Sequence, residues 1–298
     1  MHIIDLSHLY TLVHVVGEKA ESFLQGQLTC DVREVSPTQA RLSAHCNPKG
    51  RVLSSFRLLK KEAVFSLHAP NNMAEDIIRQ LMPYARLSRV ALEISQASTL
   101  GIWGENAVTK LSSYFEKLPQ TADEMVTENA ISLIRLPGDF TRFIAIGHQD
   151  TINQLREIYS ETITEDTQAW YLLDIQSNVA TIQPKTSALF TPHMVGYPAL
   201  NAVSFKKGCY IGQEVIARTE YLGKAKRHLY RAKVISSQTP QPGDALVDNA
   251  QNEMGIVVNS AFNADKKYHE CLAVIQDQAL SNELYWGTEK EIVECHSP

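Results

Sequence analysis

The sequence predicts an α+β protein whose C-terminal part consists of strands, and three observations support this prediction. Between residues 42 and 94, apolar strand patterns and one amphipathic helix follow a β-β-α-β order, which is typical of half a ferredoxin-like fold. A similar order of strands and helices recurs between residues 100 and 159. Beyond about residue 227, short alternating runs are broken by turn residues, which favours a small barrel or sandwich.

In the N-terminal region, apolar periodicity predicts each element and turn residues mark the ends. Residues 12–16 form a short strand that stops at Gly17, and residues 18–25 form a helix with Gly26 as its C-terminal glycine. The sequence Asn47-Pro48-Lys49-Gly50 is a strong turn signal between two strands. The other elements predicted in this region are strands at 42–46, 51–59, 63–68 and 90–94 and a helix at 73–82.

The second α+β region and the C-terminal region are predicted in the same way. Pro137-Gly138-Asp139 makes a turn between two strands of the second region, and a later helix opens at residue 167 and carries Trp170. The strands predicted in the second region lie at 100–103, 131–136 and 142–146, and its helices lie at 107–115 and 152–159. The strands predicted in the C-terminal region lie at 228–234, 245–247, 255–258, 271–275, 284–286 and 291–294.

The composition is that of an ordinary globular protein and argues against several classes. With 298 residues, 44% of them hydrophobic and 20% charged, the chain is long enough for two or three domains. Its five cysteines are odd in number, dispersed and without a C-x-x-C pair, which argues against a disulfide framework or a structural metal site. No apolar run approaches the ~20 residues that cross a bilayer, and no secretory signal is visible, so we expect a cytoplasmic protein without a membrane partner.

One stretch, V-S-F-K-K-G-C-Y-I-G-Q-E-V-I-A-R at residues 203–218, concentrates reactive side chains. Its glycines permit a sharp bend or a close backbone approach, and a helix is expected to begin after Gly212. Cys209 would then precede a helix N-terminus, with Lys206 and Lys207 beside it. Both features favour a thiolate over a thiol, so Cys209 is the candidate reactive group.

Plainer interpretations of this stretch stay open at the level of the sequence. A lone cysteine such as Cys209 is commonly a small buried apolar residue. Glu214 and Arg218 are four residues apart and could simply brace an exposed helix by about 0.3–0.5 kcal/mol. The candidate residues of the stretch are Lys207, Gly208, Cys209, Tyr210, Gly212, Gln213, Glu214 and Arg218.

Four sequence blocks together resemble a known family. K-G-C-Y-I-G-Q-E-V-I-A-R at residues 207–218 resembles the signature of the YgfZ family of folate-binding proteins, which are relatives of the aminomethyltransferase (T-protein) of the glycine cleavage system. Three further blocks agree in order: F-L-Q-G-Q-L-T-C-D-V at 23–32, H-C-N-P-K-G-R at 45–51 and F-T-P-H at 190–193. The resemblance covers about the first three-quarters of the chain.

The resemblance implies a domain arrangement that the periodicity alone does not give. It implies two interleaved ferredoxin-like α+β domains followed by a small C-terminal β-barrel. The expected boundaries are residues 1–43 and 100–225 for the first, discontinuous domain, 44–99 for the second domain and 226–298 for the barrel.

The resemblance also implies tetrahydrofolate or a derivative as the ligand, with two aromatic residues in its site. Their places in this chain are Tyr10 and Trp170. Tyr10 stands where the best-known family member has tryptophan, which keeps a stacking face but makes it smaller. The alternatives are an exposed aromatic at a strand edge for Tyr10 and an ordinary core residue for Trp170.

Polar and basic residues could complete a folate site. Gln25, Gln27 and Thr29 could contact the pterin edge, or they could serve only to cap the chain near Gly26. Lys49 and Arg51 are candidates for the glutamate tail, because a carboxylate is held well by a cation. The adjacent pair His45 and Cys46 makes a poor metal chelate, so it is assigned to structure and no metal ligands are expected.

One departure from the relatives concerns catalysis. In the T-protein relatives, the strand after the glycine turn carries an aspartate used in aminomethyl transfer, whereas this chain has Leu53, Ser54 and Ser55 there. The general acid–base group of the parent reaction is therefore missing. The chain resembles a folate binder that has lost the parent chemistry and carries Cys209 instead.

Three functions follow from these observations. The first, implied by the resemblance, is an accessory protein that binds folate, supports iron–sulfur enzymes or assembly proteins through Cys209, and thereby affects tRNA thiomethylation. The second is a folate-dependent one-carbon transferase that uses Glu214 as its acid. The third is direct tRNA binding, with residues 224–233 as the contact strip. This strip is part of a basic strip at residues 206–233, which holds eight bases and two acids in a chain of net charge −5. The acidic remainder makes the third the weakest.

Overall fold

The computed structural model describes residues 1–223 and 225–296. The strands, numbered β1 to β16 in chain order, are His2–Asp5, Tyr10–Val16, Arg41–Cys46, Val52–Lys61, Val64–Pro70, Ala91–Ser95, Ser98–Trp103, Met125–Glu128, Ile131–Arg135, Arg142–Gly147, Arg227–Val234, Ala245–Val247, Glu253–Asn263, Tyr268–Gln276, Leu284–Trp286 and Glu291–His296. The helices α1 to α6 are Ala20–Gln27, Ala74–Ser88, Ala107–Leu111, Gln149–Ile158, Thr167–Gln176 and Gln213–Leu222.

The chain divides into two compact units, each built from several chain segments. The first unit comprises Met1–His45, Ser54–Asp166 and Asn201–Tyr210, and the second comprises Cys46–Leu53, Thr167–Leu200 and Ile211–Pro298. Strand β2 lies in one sheet with β4 and β5, although the predicted boundary at residues 43 and 44 placed them in different domains. The predicted domain limits otherwise stay a prediction.

The first unit contains a sheet of strand order β3-β4-β5-β2-β6 that is covered by α1 and α2. Helix α1 buries Ala20, Phe23, Leu24 and Gln27, the i, i+3, i+4, i+7 positions that share one helix face. These residues pack on the strands. The last residue of this buried face of α1, Gln27, is polar.

A second sheet of the first unit has the order β1-β7-β10-β9-β8 and carries α3 and α4. Its central strand β10 is buried along nearly its whole length, and Ile152 and Leu155 of α4 are buried in the same core. The two sheets of this unit are joined by hydrogen bonds around Thr99. Its carbonyl accepts from the amide of Leu6 at 2.8 Å, and its hydroxyl lies 3.2 Å from Nε2 of His68.

The second unit contains a closed barrel of strand order β11-β14-β13-β12-β15-β16. Closure is made by the pairing of β11 with both β14 and β16. Alternate residues such as Ala232 and Val234 point into the barrel core, and helix α5 packs against β13. All six strands predicted for this region are present, so the barrel is confirmed.

The α+β class is confirmed, while several element limits differ from the prediction. Strands β1 and β8 were not predicted, because four-residue edge strands give too short an alternation to detect. The predicted end of a helix at residue 82 is wrong, since α2 continues through Pro83 to Ser88. Leu81 and Ala85, buried on either side of the proline, hold the two halves of α2 against the sheet.

Candidate functional site around the cysteine motif

Lys207 of the cysteine motif is a buried cation, with 5% of its surface exposed. Its ammonium nitrogen lies 2.8 Å from the carbonyl oxygens of both Leu28 and Cys30 and 5.0 Å from the centre of the Tyr210 ring. Burial lowers the pKa of Lys207 to about 8. The side chain is therefore still an ammonium at neutral pH, and it makes charge-assisted hydrogen bonds to both carbonyls.

Three segments of the first unit meet at this lysine: residues 28–30, 43–45 and 202–207, which we call the motif junction. The amide of Thr29 donates to the carbonyl of Ala44 at 3.0 Å. The hydroxyl of Thr29 donates to the carbonyl of Ala202 at 2.6 Å. The backbone carbonyl of Thr29 accepts from the amide of Ser204 at 2.8 Å. Thr29, a candidate ligand contact, is thus a fully buried structural residue.

Cys209 is the one cysteine of the chain that is exposed to solvent. The interpretation of Cys209 as a small buried apolar residue is therefore wrong. Burial raises the pKa of the Cys46 and Cys271 thiols to about 12, that of Cys295 to about 11, and that of Cys30 above its ordinary value. Cys209 is therefore the thiol most open to a reagent or a partner, since Cys295 is half-buried and the other three are buried.

The two lysines before Cys209 differ in environment. The ammonium of Lys207 is directed into the motif junction, whereas Lys206 is exposed. Helix α6 begins at Gln213, four residues after Cys209. Activation of the Cys209 thiol by these groups stays a prediction.

In the second unit, Gly212 is required by a close backbone approach. It has φ +81°, and a Cβ on it would lie 2.5 Å from the carbonyl oxygen of Asn47 and 3.1 Å from Cα of Gly50. A Cβ on Gly50 (φ +68°) would in turn lie 3.1 Å from Cβ of Val215. The Asn47–Gly50 turn and the start of α6 are therefore fitted to each other. Gly208 has open space around it, so only one of the two motif glycines is sterically required.

The acidic and basic residues of α6 face solvent. Glu214 and Arg218 are both exposed, and no ion pair joins them within the described part of the chain. Gln213 is half-buried at the first position of the helix. Glu214, the candidate acid of a transferase, is thus surrounded by solvent and not enclosed in a site.

The two glutamines predicted to contact a ligand have different roles in the first unit. The side chain of Gln25 donates to Asp31 at 2.9 Å and accepts from the amide of Val32 at 2.8 Å, so it braces the chain after α1. Gln27 is 8% exposed, and its buried Oε1 has no hydrogen-bond partner among residues 1–223 and 225–296. An unused buried acceptor is costly, so Oε1 of Gln27 suits a ligand that brings an N–H or O–H donor.

Tyr10 lies half-buried on strand β2 and stacks on a histidine that the sequence analysis did not single out. The rings of Tyr10 and His68 are 5.0 Å apart and 15° from parallel. Burial, together with the positive charge of Arg57, lowers the pKa of His68 to about 3. The imidazole of His68 is therefore neutral at physiological pH, and one face of Tyr10 is already covered by it.

Strand β4 carries a buried cation and buried hydroxyls. Arg57 pairs with Asp123 inside the first unit, where both side chains are more than nine-tenths buried. Ser54 and Ser55, at the place where the resemblance implies an aspartate in the T-protein, are also buried. The sequence signal for Arg57 is its charge within the otherwise apolar run F-R-L-L.

Trp170 and Lys49 belong to the second unit. Trp170 lies on α5 with 1% of its surface exposed, so neither ring face is open to a ligand in this structure. Lys49 is exposed on the Asn47–Gly50 turn, and its amide donates to Oδ1 of Asn47 at 2.9 Å. Arg51 donates to the carbonyl of Leu189 at 2.6 Å, which gives it a structural contact.

A cleft of about 560 Å³ lies in the second unit, within the volume range of small-molecule sites. Two histidine–carboxylate pairs line it. His193 of the F-T-P-H block lies 3.0 Å from Glu220, and His228 lies 2.7 Å from Asp277. These pairs join residues distant in sequence, so the sequence offered no signal for them.

The basic strip predicted at residues 206–233 is not one continuous face in the part that can be described. Lys207 is buried, and Lys233 pairs with Glu294 at 3.0 Å. Lys224, another member of the strip, lies outside the described residues.

Two searches of the described residues gave negative results. They contain no group of three His, Cys, Asp or Glu side chains that could hold a metal ion. No helix among them is both long and apolar enough to span a membrane.

The fold defines the class of protein. The structure superposes on the glycine cleavage system aminomethyltransferase T from Bartonella henselae with a TM-score of 0.81 and 18% sequence identity, covering 100% of this chain and 85% of that one. The chain therefore has the aminomethyltransferase T fold, with an exposed cysteine motif. No protein-family model matches the sequence.

Curated relatives identify the family within this class. The chain is 32% identical over 247 residues to the tRNA-modifying protein YgfZ of Colwellia psychrerythraea, covering 81% of this chain and 73% of the relative. It is 34% identical to the protein of that name from Hamiltonella defensa (79% and 71% covered) and 35% identical to that from Photorhabdus laumondii (79% and 72%). The chain belongs to the YgfZ family, and the resemblance drawn from its four blocks is confirmed.

Proposed function

We propose that this chain is a folate-binding accessory protein in tRNA modification, which supports iron–sulfur cluster assembly or repair and thereby tRNA thiomethylation. The name of the curated relatives supports a role in tRNA modification, and the aminomethyltransferase fold supports a folate ligand. The observation that carries the accessory role is the exposure of Cys209 within the family motif, while three of the other thiols are buried and that of Cys295 is half-buried. An exposed thiol suits contact with a partner protein or its metal cluster.

Two residues of the first unit fit a folate. Oε1 of Gln27 is a buried acceptor without a partner in the described chain, and a pterin carries N–H donors at its edge. Tyr10 has one ring face on His68, so a stacked pterin would use the remaining exposed part of the ring. Trp170, in the second unit, does not fit a stacking role, because it is 1% exposed. A bound tetrahydrofolate would supply a reduced pterin that can carry a one-carbon group.

The transferase alternative has weaker support. The positions of the parent carboxylate are taken by the buried hydroxyls of Ser54 and Ser55, and Glu214 is exposed on α6. Neither arrangement supplies an enclosed carboxyl group for protonation of a folate nitrogen.

Ligand binding is tested by calorimetric titration of tetrahydrofolate into the full chain. We expect binding to the wild type, at least tenfold weaker binding to Gln27→Leu and Tyr10→Ala, and unchanged binding to Cys209→Ala. Trp170→Ala is the less informative variant, because removal of a buried Trp costs about 3–5 kcal/mol of folding free energy. Failure of the wild type to bind any reduced folate, or equal binding by Gln27→Leu, would contradict the folate proposal.

The accessory role is tested in cells that lack the endogenous protein. Thiomethylated tRNA is measured by mass spectrometry after complementation with the wild type, Cys209→Ala or Cys271→Ala. We expect wild-type and Cys271→Ala levels to match and Cys209→Ala to leave thiomethylation low. If Cys209→Ala restores thiomethylation fully, the thiol has no part in the function even where folate binding holds.

A further inference from the structure

The outer face of the barrel carries a cationic pocket that belongs to none of the four family blocks. Arg231 and Lys233 alternate along β11 with Ala232 and Val234, which are buried in the barrel. The alternation directs both basic side chains to the outside of the barrel. They line a cavity of about 240 Å³ together with Lys266, Tyr268, Glu270 and His296.

The pocket gathers positive charge that its own acid does not balance. The ammonium groups of Lys233 and Lys266 lie 5.0 and 5.8 Å from the centre of the same ring, Tyr268. Lys233 also pairs with Glu294 at 3.0 Å, and Lys266 lies 3.7 Å from Glu270. Three bases and one acid line the cavity, and Glu294 beside Lys233 adds a second acid, so three positive charges face two negative ones and one positive charge is left over.

The acid that lines the cavity is held by several donors. Oε1 of Glu270 accepts from the side chain of Asn263 at 2.7 Å, and both its oxygens lie 3.3 Å from Nε2 of Gln176. Asn263 and Gln176 are neutral donors, so they fix the carboxylate in position without cancelling its charge, and Glu270 remains the counter-ion of Lys266. Repulsion between Arg231 and the two lysines would be relieved by an anion that enters from outside.

Arg231 supplies the second, independent observation. Its Nε is buried and has no hydrogen-bond acceptor in the part of the chain that the structure describes. A buried N–H of a charged group without an acceptor is costly, so such donors are normally satisfied. An anionic oxygen in the cavity would accept from this N–H.

We propose that this pocket binds a phosphate group. A guanidinium presents donors that match two oxygens of a phosphate, and the two ammonium groups can donate to its remaining oxygens from other directions. A planar carboxylate offers its oxygens in one plane, whereas a tetrahedral phosphate offers oxygens in several directions, which suits donors that enter the cavity from different sides. The shared ligand chemistry is a phosphate ester, from either a mononucleotide or an RNA backbone.

The experiment is a calorimetric titration of the full chain with inorganic phosphate, adenosine 5′-monophosphate and a short single-stranded oligoribonucleotide. Each titration is run at about 50 mM and about 200 mM salt, since phosphate contacts by cations weaken with salt. The test variants are Arg231→Gln and Lys266→Gln. The matched control is Lys290→Gln, because Lys290 also lies 5.8 Å from a tyrosine ring on the same barrel but outside the pocket.

We expect about a tenfold loss of affinity in Arg231→Gln and Lys266→Gln and less than a twofold change in Lys290→Gln. Binding of the oligoribonucleotide at least tenfold tighter than the mononucleotide identifies the RNA backbone as the source, and equal affinities identify the mononucleotide. Both outcomes support the phosphate site. Absence of millimolar binding of every probe, or equal loss in Lys290→Gln, overturns it. The result is independent of folate and of Cys209, which the proposal does not involve.

Discussion

The side-chain ammonium of Lys207 lies 2.8 Å from the carbonyl oxygen of Cys30, and Leu28 offers it a second carbonyl at the same distance. A single cation thus ties the end of the N-terminal block Q-G-Q-L-T-C to the start of the K-G-C motif. The carbonyls are buried, so no water replaces the ammonium if it is removed.

Replacement of Lys207 by Met is expected to lower the free energy of unfolding by about 1–3 kcal/mol, because two buried carbonyls lose their donor. Urea denaturation followed by circular dichroism measures this change. Lys206→Met is the control, since Lys206 is the adjacent exposed lysine and its loss should stay within about 0.5 kcal/mol. Equal stabilities of the two variants would mean that the Lys207 hydrogen bonds contribute nothing.

The same lysine should make stability depend on alkaline pH. Its folded-state pKa is about 8, below the ordinary value of 10.5, so between these values the unfolded chain binds more protons than the folded chain. The free energy of unfolding of the wild type should therefore rise, relative to that of Lys207→Met, as the pH increases from 8 towards 10. Urea titrations at a series of pH values measure the difference, in which groups common to both proteins cancel. A constant difference across this range would contradict the low pKa.

Cys209 should be the only thiol that reacts rapidly with iodoacetamide in the folded protein near pH 7.5. The other four cysteines are buried or half-buried, and burial raises the pKa of their thiols. Mass spectrometry should find one adduct on the native wild type, none on Cys209→Ser, and five on the wild type in denaturant. The rate for Cys209, compared with that of a free cysteine, tests whether the motif activates the thiol. Rapid labelling of Cys295 would contradict the predicted selectivity.

The sequence was most informative where the pattern is local. The barrel strands were predicted because each alternates over a few residues between turn signals. By contrast, the bond from Lys207 to Leu28 joins residues 179 positions apart, and no local pattern reports such a contact. The same holds for His193 with Glu220 and for His228 with Asp277, which meet only once the chain is folded.

The accessibility of the candidate site residues could not be predicted from the sequence, because it depends on burial and not on residue type. Cys209 and Cys30 are the same residue type, yet one is exposed and the other is 1% exposed. Trp170 and Tyr10 were both proposed as stacking residues, and only Tyr10 retains exposed surface. A motif match therefore gives candidates, and the packing around each candidate determines which can meet a ligand.

His68 should make the wild type sensitive to mild acid. Burial and the neighbouring Arg57 lower the pKa of His68 to about 3. Between pH 6.5 and pH 3 the unfolded chain therefore binds a proton at His68 that the folded chain does not bind. The contribution of His68 to the free energy of unfolding therefore falls as the pH decreases from 6.5 towards 3. In His68→Asn this loss should be absent, which makes its stability less dependent on pH between 6.5 and 4.

The control for the acid experiment is His8→Asn, because His8 is exposed. Urea midpoints at several pH values should show the wild-type slope for His8→Asn and a shallower slope for His68→Asn. Identical slopes for all three proteins would show that His68 is protonated equally in the folded and unfolded states.

The two glycines of the cysteine motif provide a matched pair of substitutions. Gly212 has φ +81°, and an added Cβ would lie 2.5 Å from the carbonyl oxygen of Asn47. A Cβ on Gly208 would have no atom of the described residues within 4 Å, its two chain neighbours aside. Gly212→Ala must therefore accept both left-handed strain and a backbone clash, which should lower the free energy of unfolding by about 1–3 kcal/mol or more. Gly208→Ala should change it by about 0.5 kcal/mol at most.

Urea denaturation of the two variants, combined with the alkylation rate of Cys209, separates fold from reactivity. Gly212 fixes the start of α6 against the Asn47–Gly50 turn, so its substitution should disturb that helix start as well as lower stability. Gly208 adjoins Cys209 and has free space, so Gly208→Ala tests whether a methyl group beside the thiol slows alkylation in a protein of wild-type stability. Equal stability of Gly212→Ala and Gly208→Ala would show that the close backbone approach does not require a glycine at position 212. A contact of Gly212 with a ligand or partner would then explain the residue better.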